Sequence, residues 1–219
     1  MSDKRVIVIG GGAAGMMAAG RAAECGADVL LREKTGSAGN KLLLTGEGRC
    51  NLSNTRELSD FVAAYGPNGR FLYRAFDLFF REELLEFLER FGVRTVNEID
   101  GRIFPASNSA ADVLKAFESY MLENHVRLET GKEVDAILAA DGRVTGVSAG
   151  GTEYPADSVI LATGGVALPE IDPATMGSRL VKGLYFAGEV MDIDGETGGF
   201  NLQAAFSTGH LAGESAASV

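Results

Sequence analysis

Arg5-Val6-Ile7-Val8-Ile9-Gly10-Gly11-Gly12-Ala13-Ala14-Gly15 is the stretch that decides the fold. The branched apolar run reads as a buried strand, and the glycines turn it into an alanine-rich helix, residues 13–25. Gly10, Gly12 and Gly15 satisfy the GxGxxG spacing, and each has a separate task. Gly10 permits the tight turn, Gly12 lets the backbone approach a pyrophosphate, and Gly15 lets helix and strand pack closely. The unpaired N–H groups of the helix start then face the phosphates. Gly26 stops the helix, and a second apolar run, residues 29–31, leads to Glu33, 18 positions after Gly15. That is close to the roughly 20 residues expected for an acid that accepts hydrogen bonds from ribose hydroxyls. A strand, turn, helix, strand and acid in this order point to a dinucleotide without separating FAD from NAD.

Moving outward, residues 35–54 are rich in Gly, Ser, Thr and Asn and read as a long structured loop leaving the same sheet edge. Within it Lys41 and Arg49 can offset phosphate charge, while Thr45, Gly46, Gly48 and Asn51 offer donors to ribityl or phosphate oxygens. Cys50 reads as a packed small residue before it reads as a redox thiol. Residues 57–91 and 109–123 carry helical periodicity and form a helical insertion spanning 57–125. Short strands are expected at 93–96, 126–128, 134–139, 144–147, 158–161 and 184–186, with Asp141-Gly142 as a hairpin turn inside a small antiparallel meander. Near the C-terminal end, Gly183-Leu184-Tyr185-Phe186-Ala187-Gly188-Glu189 is a strand that stops at a glycine. Gly195-Glu196-Thr197-Gly198-Gly199 then opens a helix from about Asn201 to Ala216. This second glycine-rich helix start favours FAD, because an NAD-only dehydrogenase does not require it.

The 219 residues carry 20 Lys+Arg against 30 Asp+Glu, a formal net charge of −10. The excess is uneven, since residues 1–56 hold eight basic and five acidic side chains. An acidic whole argues against nucleic acid as a partner, and a locally basic start suits a phosphorylated small ligand. No apolar run reaches the roughly 18 residues of a membrane span, so a cytoplasmic protein without a membrane partner is expected. Cys25 and Cys50 are too few for a disulfide framework or a zinc site, and no metal is expected. His125 and His210 fall on helical or helix-end segments and read as surface or satisfied core residues. No catalytic acid or base stands out.

Taken together, these motifs resemble a bacterial family of FAD-dependent oxidoreductases, the bile-acid reductase-like or aminoacetone oxidase-like flavoproteins with two dinucleotide-binding domains. The resemblance is carried by the GGGAAG turn, GNKLLLTGEGRCNLSN at 39–54, GRIFPASNSAADVL at 101–114, ATGG at 162–165 and GLYFAGEVMDIDGETGGFNLQAAFSTGHLAG at 183–213. It implies an α/β, Rossmann-like FAD-binding domain with a central parallel sheet, a small antiparallel meander and a helical insertion. The core would comprise 1–56, 126–168 and 169–219. Gly10, Gly12, Ala13, Ala14, Gly15, Glu33 and Lys34 would hold the AMP half, with Val134 beside the adenine through its backbone. Ala162, Thr163, Gly164, Gly188, Glu189, Gly198, Gly199, Asn201 and Leu202 would approach the pyrophosphate, ribityl chain and flavin. Asn40 and Glu47 depart from the family's usual Arg and Gly.

A larger departure follows Gly165. In the family this strand leads into a substrate-covering domain, whereas here Val-Ala-Leu-Pro and then Glu170 lead straight back to the sheet, with the junction near 165–173. The resemblance thus implies a shortened or engineered flavoprotein core that keeps FAD, with NAD(P)H as a transient electron donor or an organic substrate in that role, and little specific turnover. The rival readings are a flavin-binding scaffold without turnover, an NAD-dependent dehydrogenase, and an FAD-dependent RNA-modifying enzyme.

Overall fold

The structure, a computed structural model, describes residues 4–218. Strand β1 (Arg5–Ile9), helix α1 (Ala13–Glu24) and strand β2 (Asp28–Glu33) form the expected opening unit. β1 and β2 run parallel, Ile7 opposite Leu30. The 35–54 segment differs from the expected loop, because Asn40–Leu44 forms a short helix, α2, followed by a 3-10 turn at Thr45–Gly48 and strand β3 (Ser53–Asn54). Gly39 makes this possible: its φ of 75° is costly for any residue with a Cβ, and its N–H reaches the Gly11 carbonyl at 2.8 Å.

Helices α3 (Leu58–Ala63), α4 (Tyr73–Leu78) and α5 (Arg81–Arg90) follow, with a 3-10 stretch at Gly66–Leu72. Between them and α6 (Ala110–Glu123) lie two strands, β4 (Thr95–Asn97) and β5 (Arg102–Pro105). The insertion is therefore not purely helical: β5 pairs antiparallel with both β4 and β3, a three-stranded sheet that ties the insertion to the end of the 35–54 segment. Strand β6 (Arg127–Thr130) returns to the main sheet beside β2. The meander is β7 (Ala136–Ala140), β8 (Arg143–Ala149) and β9 (Thr152–Pro155). Its first turn is Asp141-Gly142, both at positive φ as a tight hairpin demands. Buried β10 (Ser158–Leu161) then pairs with β1 in parallel.

Past β10 the chain makes a short 3-10 turn, Leu168–Glu170, and two brief strands, β11 (Ile171–Asp172) and β12 (Gly177–Ser178). β13 (Leu184–Phe186) and helix α7 (Phe200–Ser218) complete the fold. The main sheet has the order β11-β12-β13-β10-β1-β2-β6, parallel from β13 to β6 with an antiparallel edge at β11 and β12. That is the mixed α/β Rossmann architecture expected from the sequence.

Helix α1 lies under the sheet with residues 14–20 and 22 buried, and α7 packs directly on it. A Cβ at Gly209 would stand 2.4 Å from the Ala14 carbonyl oxygen, and one at Gly213 would stand 2.4 Å from that of Ala18. The two backbones touch because glycine and alanine let them. Phe117 and Phe206 stack at 5.0 Å, joining α6 to the same core.

Candidate dinucleotide-binding site

The three glycines of the first turn meet three different surroundings. Gly10 sits at φ 101°. At Gly15 an added Cβ would fall 1.8 Å from the Gly10 carbonyl oxygen, so helix and strand are in backbone contact there. At Gly12, whose φ is −78°, an added Cβ would meet nothing within 4 Å. The fold does not need a glycine at that position, yet the space above it opens onto a cleft of about 440 Å³. A phosphate group approaching the start of α1 fits that space.

Glu33 closes one side. Its Oε2 accepts the Gly11 N–H at 2.7 Å, and its Oε1 accepts both the N–H and the hydroxyl of Thr35 at 2.8 Å. Burial works against the charge, but donation from Thr35 and Gly11 outweighs it and holds this carboxyl below the usual glutamate range. The carboxylate is thereby fixed at the cleft wall, as recognition of a ribose hydroxyl requires.

Gly10, Gly12, Glu33, Lys34, Lys41, Val134, Ala162, Thr163, Gly164 and Glu189 all line the cleft. Lys41 and Glu189 form an ion pair of 2.5 Å across it, although both are largely exposed. Ala13, Ala14 and Gly15 lie behind the wall in α1, and Gly188 touches them from the other side: a Cβ at Gly188 would come within 2.6 Å of the Ala14 methyl. The Gly188 N–H donates to Thr208 Oγ1 at 3.0 Å, tying the strand end to α7.

The remaining candidates lie outside this cleft and are engaged among themselves. Thr45 donates its hydroxyl to the Leu42 carbonyl at 2.7 Å. Gly46 and Gly48 hold the 3-10 turn at positive φ. Arg49 is spent on Glu98 at 2.8 Å and on the face of Phe104 at 4.0 Å. Asn51, with its amide nitrogen toward Ser53, donates to that carbonyl at 3.2 Å and accepts the Gly199 N–H at 3.0 Å. The two glycine-rich segments therefore meet at Asn51 and Gly199, where a Cβ on Gly199 would collide with the Ser53 carbonyl at 2.3 Å. Gly198 offers its carbonyl to Asn54 Nδ2 at 3.1 Å. Asn201 brackets Gly195, accepting its N–H at 2.7 Å and donating to its carbonyl at 3.1 Å, with Leu202 half-buried beside it. Cys50 is fully buried at φ 64°, and burial pushes its thiol up to about 12, which suits packing.

One lining residue carried no signal in the sequence. Arg32, on β2, is 3% exposed, pairs with Glu129 at 2.7 Å and stacks over Tyr154 at 3.9 Å. It thereby clamps the meander, through β9, to the parallel sheet beside Val134. His125 lies at the surface at φ 59°, and His210 is stacked on Phe79 at 4.7 Å. No cluster of His, Cys, Asp or Glu suited to a metal occurs among the described residues, and no helix is long and apolar enough to cross a membrane.

The family described as HI0933-like protein Rossmann domain matches residues 4–171 and 163–215, two segments that overlap at the link between β10 and β11. The 3-dehydro-bile acid delta(4,6)-reductase of Clostridium scindens is 37% identical over 183 residues, 82% of this chain and 44% of that protein. The ribosomal RNA dihydrouridine synthase of Escherichia coli K12 is 26% identical over 177 residues, 80% of this chain and 43% of that one. The chain thus spans less than half the length of these curated relatives. Among solved structures, Thermovibrio ammonificans THI4 superposes with a TM-score of 0.60 at 16% identity, covering 98% of this chain and 87% of that chain. The 3-ketosteroid-delta4-(5alpha)-dehydrogenase of Rhodococcus jostii RHA1 superposes at 0.56 and 22% identity, covering 74% and 46%. These two likenesses are of fold.

Proposed function

The chain belongs to the HI0933-like Rossmann-domain family, and from that premise we propose that it is the FAD-binding core of an oxidoreductase. The observation that carries this reading is the open space over Gly12 next to an immobilised Glu33, a cradle that fits a pyrophosphate and an adenosine ribose at once. Gly10 to Gly15 and Glu33 would hold the AMP half, with the Val134 backbone beside the adenine. Lys41 would add positive charge near the phosphates. The segment where Asn51 meets Gly199 would carry the far half. FAD, when bound, supplies two-electron transfer, and the protein supplies placement and electrostatics.

The same reading covers turnover. Thr163, Gly164 and Glu189, at the strand ends that face the cleft, are exposed, so these residues do little to exclude water from a reacting centre. We take the chain to be a core that retains its cofactor, with NAD(P)H as a transient donor, and to be shortened or engineered at the 165–173 link. The length relation to the relatives and the overlap of the two family segments at that link support this. An RNA substrate, suggested by the name of one relative, is poorly matched by the net charge of −10.

Titrating flavin-free protein with FAD, FMN and NAD tests the cofactor reading. FAD should bind at least about 100-fold more tightly than FMN, since the contacts assigned to the AMP half amount to two or more charge-assisted hydrogen bonds. Equal affinity for FMN and FAD would remove the adenosine half from the site, and preference for NAD would replace the assignment.

A further inference from the structure

Beyond the ends of β10 and β13 the two segments stay joined for one more step. The Val166 N–H donates to the Val190 carbonyl at 2.7 Å, and the Asp192 N–H donates to the Val166 carbonyl at 3.2 Å. On one side of this bridge residues 162–164, 189 and 190 line the dinucleotide cleft. On the other side Ala167, Leu168 and Asp192 line a second cavity of about 560 Å³, walled opposite by the 3-10 stretch Gly66–Leu72. That volume lies within the roughly 300–1,000 Å³ of small-molecule sites. The cavity is also on the C-terminal side of the parallel strands, the side on which such sheets bind ligands.

Its chemistry is specific. Three of the chain's five prolines, Pro67, Pro169 and Pro173, form part of the wall. Their fixed φ angles make the shape preformed, which lowers the ordering cost of binding. Phe71 and Leu168, both half-buried, supply apolar surface over the buried Ile171. Two guanidinium groups, Arg70 and Arg179, also line it. Arg70 has no ion pair among the described residues, and the one that Arg179 has there is with Asp172 at 4.0 Å. Asp192 is the one carboxylate in the lining and Asp172 stands beside Arg179, so Arg70 is the guanidinium left without an ion pair among the described residues. A guanidinium fork matches a planar carboxylate, and the apolar wall needs a body without charge.

We infer that this cavity, made by the short link between β10 and β11, is a binding subsite for a small apolar carboxylate. The ring or alkyl body rests on Phe71 and Leu168, and the carboxylate is held by Arg70 and Arg179. The inference rests on the FAD-core reading for its functional meaning, because the cavity lies across the Val166–Val190 bridge from the cleft assigned to the cofactor. Binding itself can be measured without any flavin.

The test is calorimetric titration of biphenyl-4-carboxylate, and of the neutral biphenyl-4-carboxamide, into flavin-free and FAD-loaded protein. The carboxylate is expected to saturate one site in both forms and to bind at least about tenfold more tightly than the amide, the loss of one charged contact. Arg70→Glu, at an exposed position, should weaken the carboxylate by at least about tenfold and leave FAD affinity unchanged. Leu168→Glu should do the same. Absence of saturable binding, equal affinity for acid and amide, or indifference to both substitutions overturns the subsite. So does a dimer by light scattering that Leu168→Glu dissociates, because a second copy would then be the occupant. If FAD fails to bind while the carboxylate does, the core reading falls and the cavity assignment stands; if FAD binds and the carboxylate does not, the subsite falls and the core reading stands.

Discussion

Replacing Gly12 and Gly15 one at a time separates binding from folding. In Gly15→Ala the new methyl would sit 1.8 Å from the Gly10 carbonyl oxygen, against an ordinary contact of 3.4 Å or more, so α1 and β1 must part by about 1.6 Å. Both partners are backbone in a packed layer and neither can rotate away. Overpacking of this kind costs about 3 kcal/mol. For a domain of this size that is a fall in Tm of about 6–12 °C. Gly12→Val behaves differently. Its Cβ meets nothing, its φ is ordinary for any residue, and the position is an N-cap that makes no side-chain hydrogen bond. The cost to the flavin-free fold should be about 1 kcal/mol or less, from N-cap preference alone. Its branched side chain, however, fills the space assigned to the pyrophosphate, and losing two charged hydrogen bonds there weakens FAD by about 100-fold or more. Thermal unfolding of the flavin-free proteins, followed by circular dichroism, and FAD titration of each supply the two readouts. The reasoning fails if Gly12→Val lowers the flavin-free Tm as much as Gly15→Ala, or if it binds FAD within about threefold of the parent.

Three further outcomes follow from the same contacts. Glu33 is held below its usual pKa in the fold, so its contribution is present above about pH 4.5 and is lost as pH falls through the lowered value; Glu33→Gln should be less stable than the parent in urea at pH 7, and the gap should close in acid. His210 is buried against Phe79, and burial, helped by Arg21, brings its pKa down to about 4. The unfolded chain then takes up the proton first, so stability should decline as pH falls from about 6.5 to 4, and His210→Phe should flatten that limb of a urea stability profile. Of the two thiols, Cys25 is exposed and Cys50 is fully buried, so a disulfide reagent such as Ellman's should titrate one thiol in the native protein and two in guanidinium; two fast native thiols would contradict the packing of Cys50.

The opening unit was readable because its physics is local. Strand, glycine turn, helix and acid lie within Arg5 to Glu33, and the contact that demands Gly15 is with Gly10, five positions away. The hairpin at Asp141-Gly142 was readable for the same reason. What escaped the sequence is what only pairing decides. β5, β9, β11 and β12 have four residues or fewer and, unlike the equally short β10 and β13, no run of three aliphatic or aromatic residues, and they exist because a partner strand accepts them. The α2 segment, Asn-Lys-Leu-Leu-Leu, is helical in composition, but its glycine- and serine-rich flanks hid it. Arg32 looks like a solvated charge until Glu129 and Tyr154, about a hundred positions later, arrive beside it. Likewise the contact of Asn51 with Gly199 joins two glycine-rich segments that could be read only separately.

The contact of α1 with α7 has a temporal side. Gly209 and Gly213 rest on the carbonyls of Ala14 and Ala18, so the helix that begins the proposed phosphate cradle is sheathed by residues nearly two hundred positions downstream. Until those are synthesised, α1 has one apolar flank bare. Long-range closure of this kind slows folding and lengthens the interval in which sticky surface is on display. The turn assigned to the phosphates therefore leaves the ribosome well ahead of the helix that secures it, so tight binding of the dinucleotide is expected only once residues 200–218 have been made, and a fragment ending before residue 200 is expected to bind it weakly.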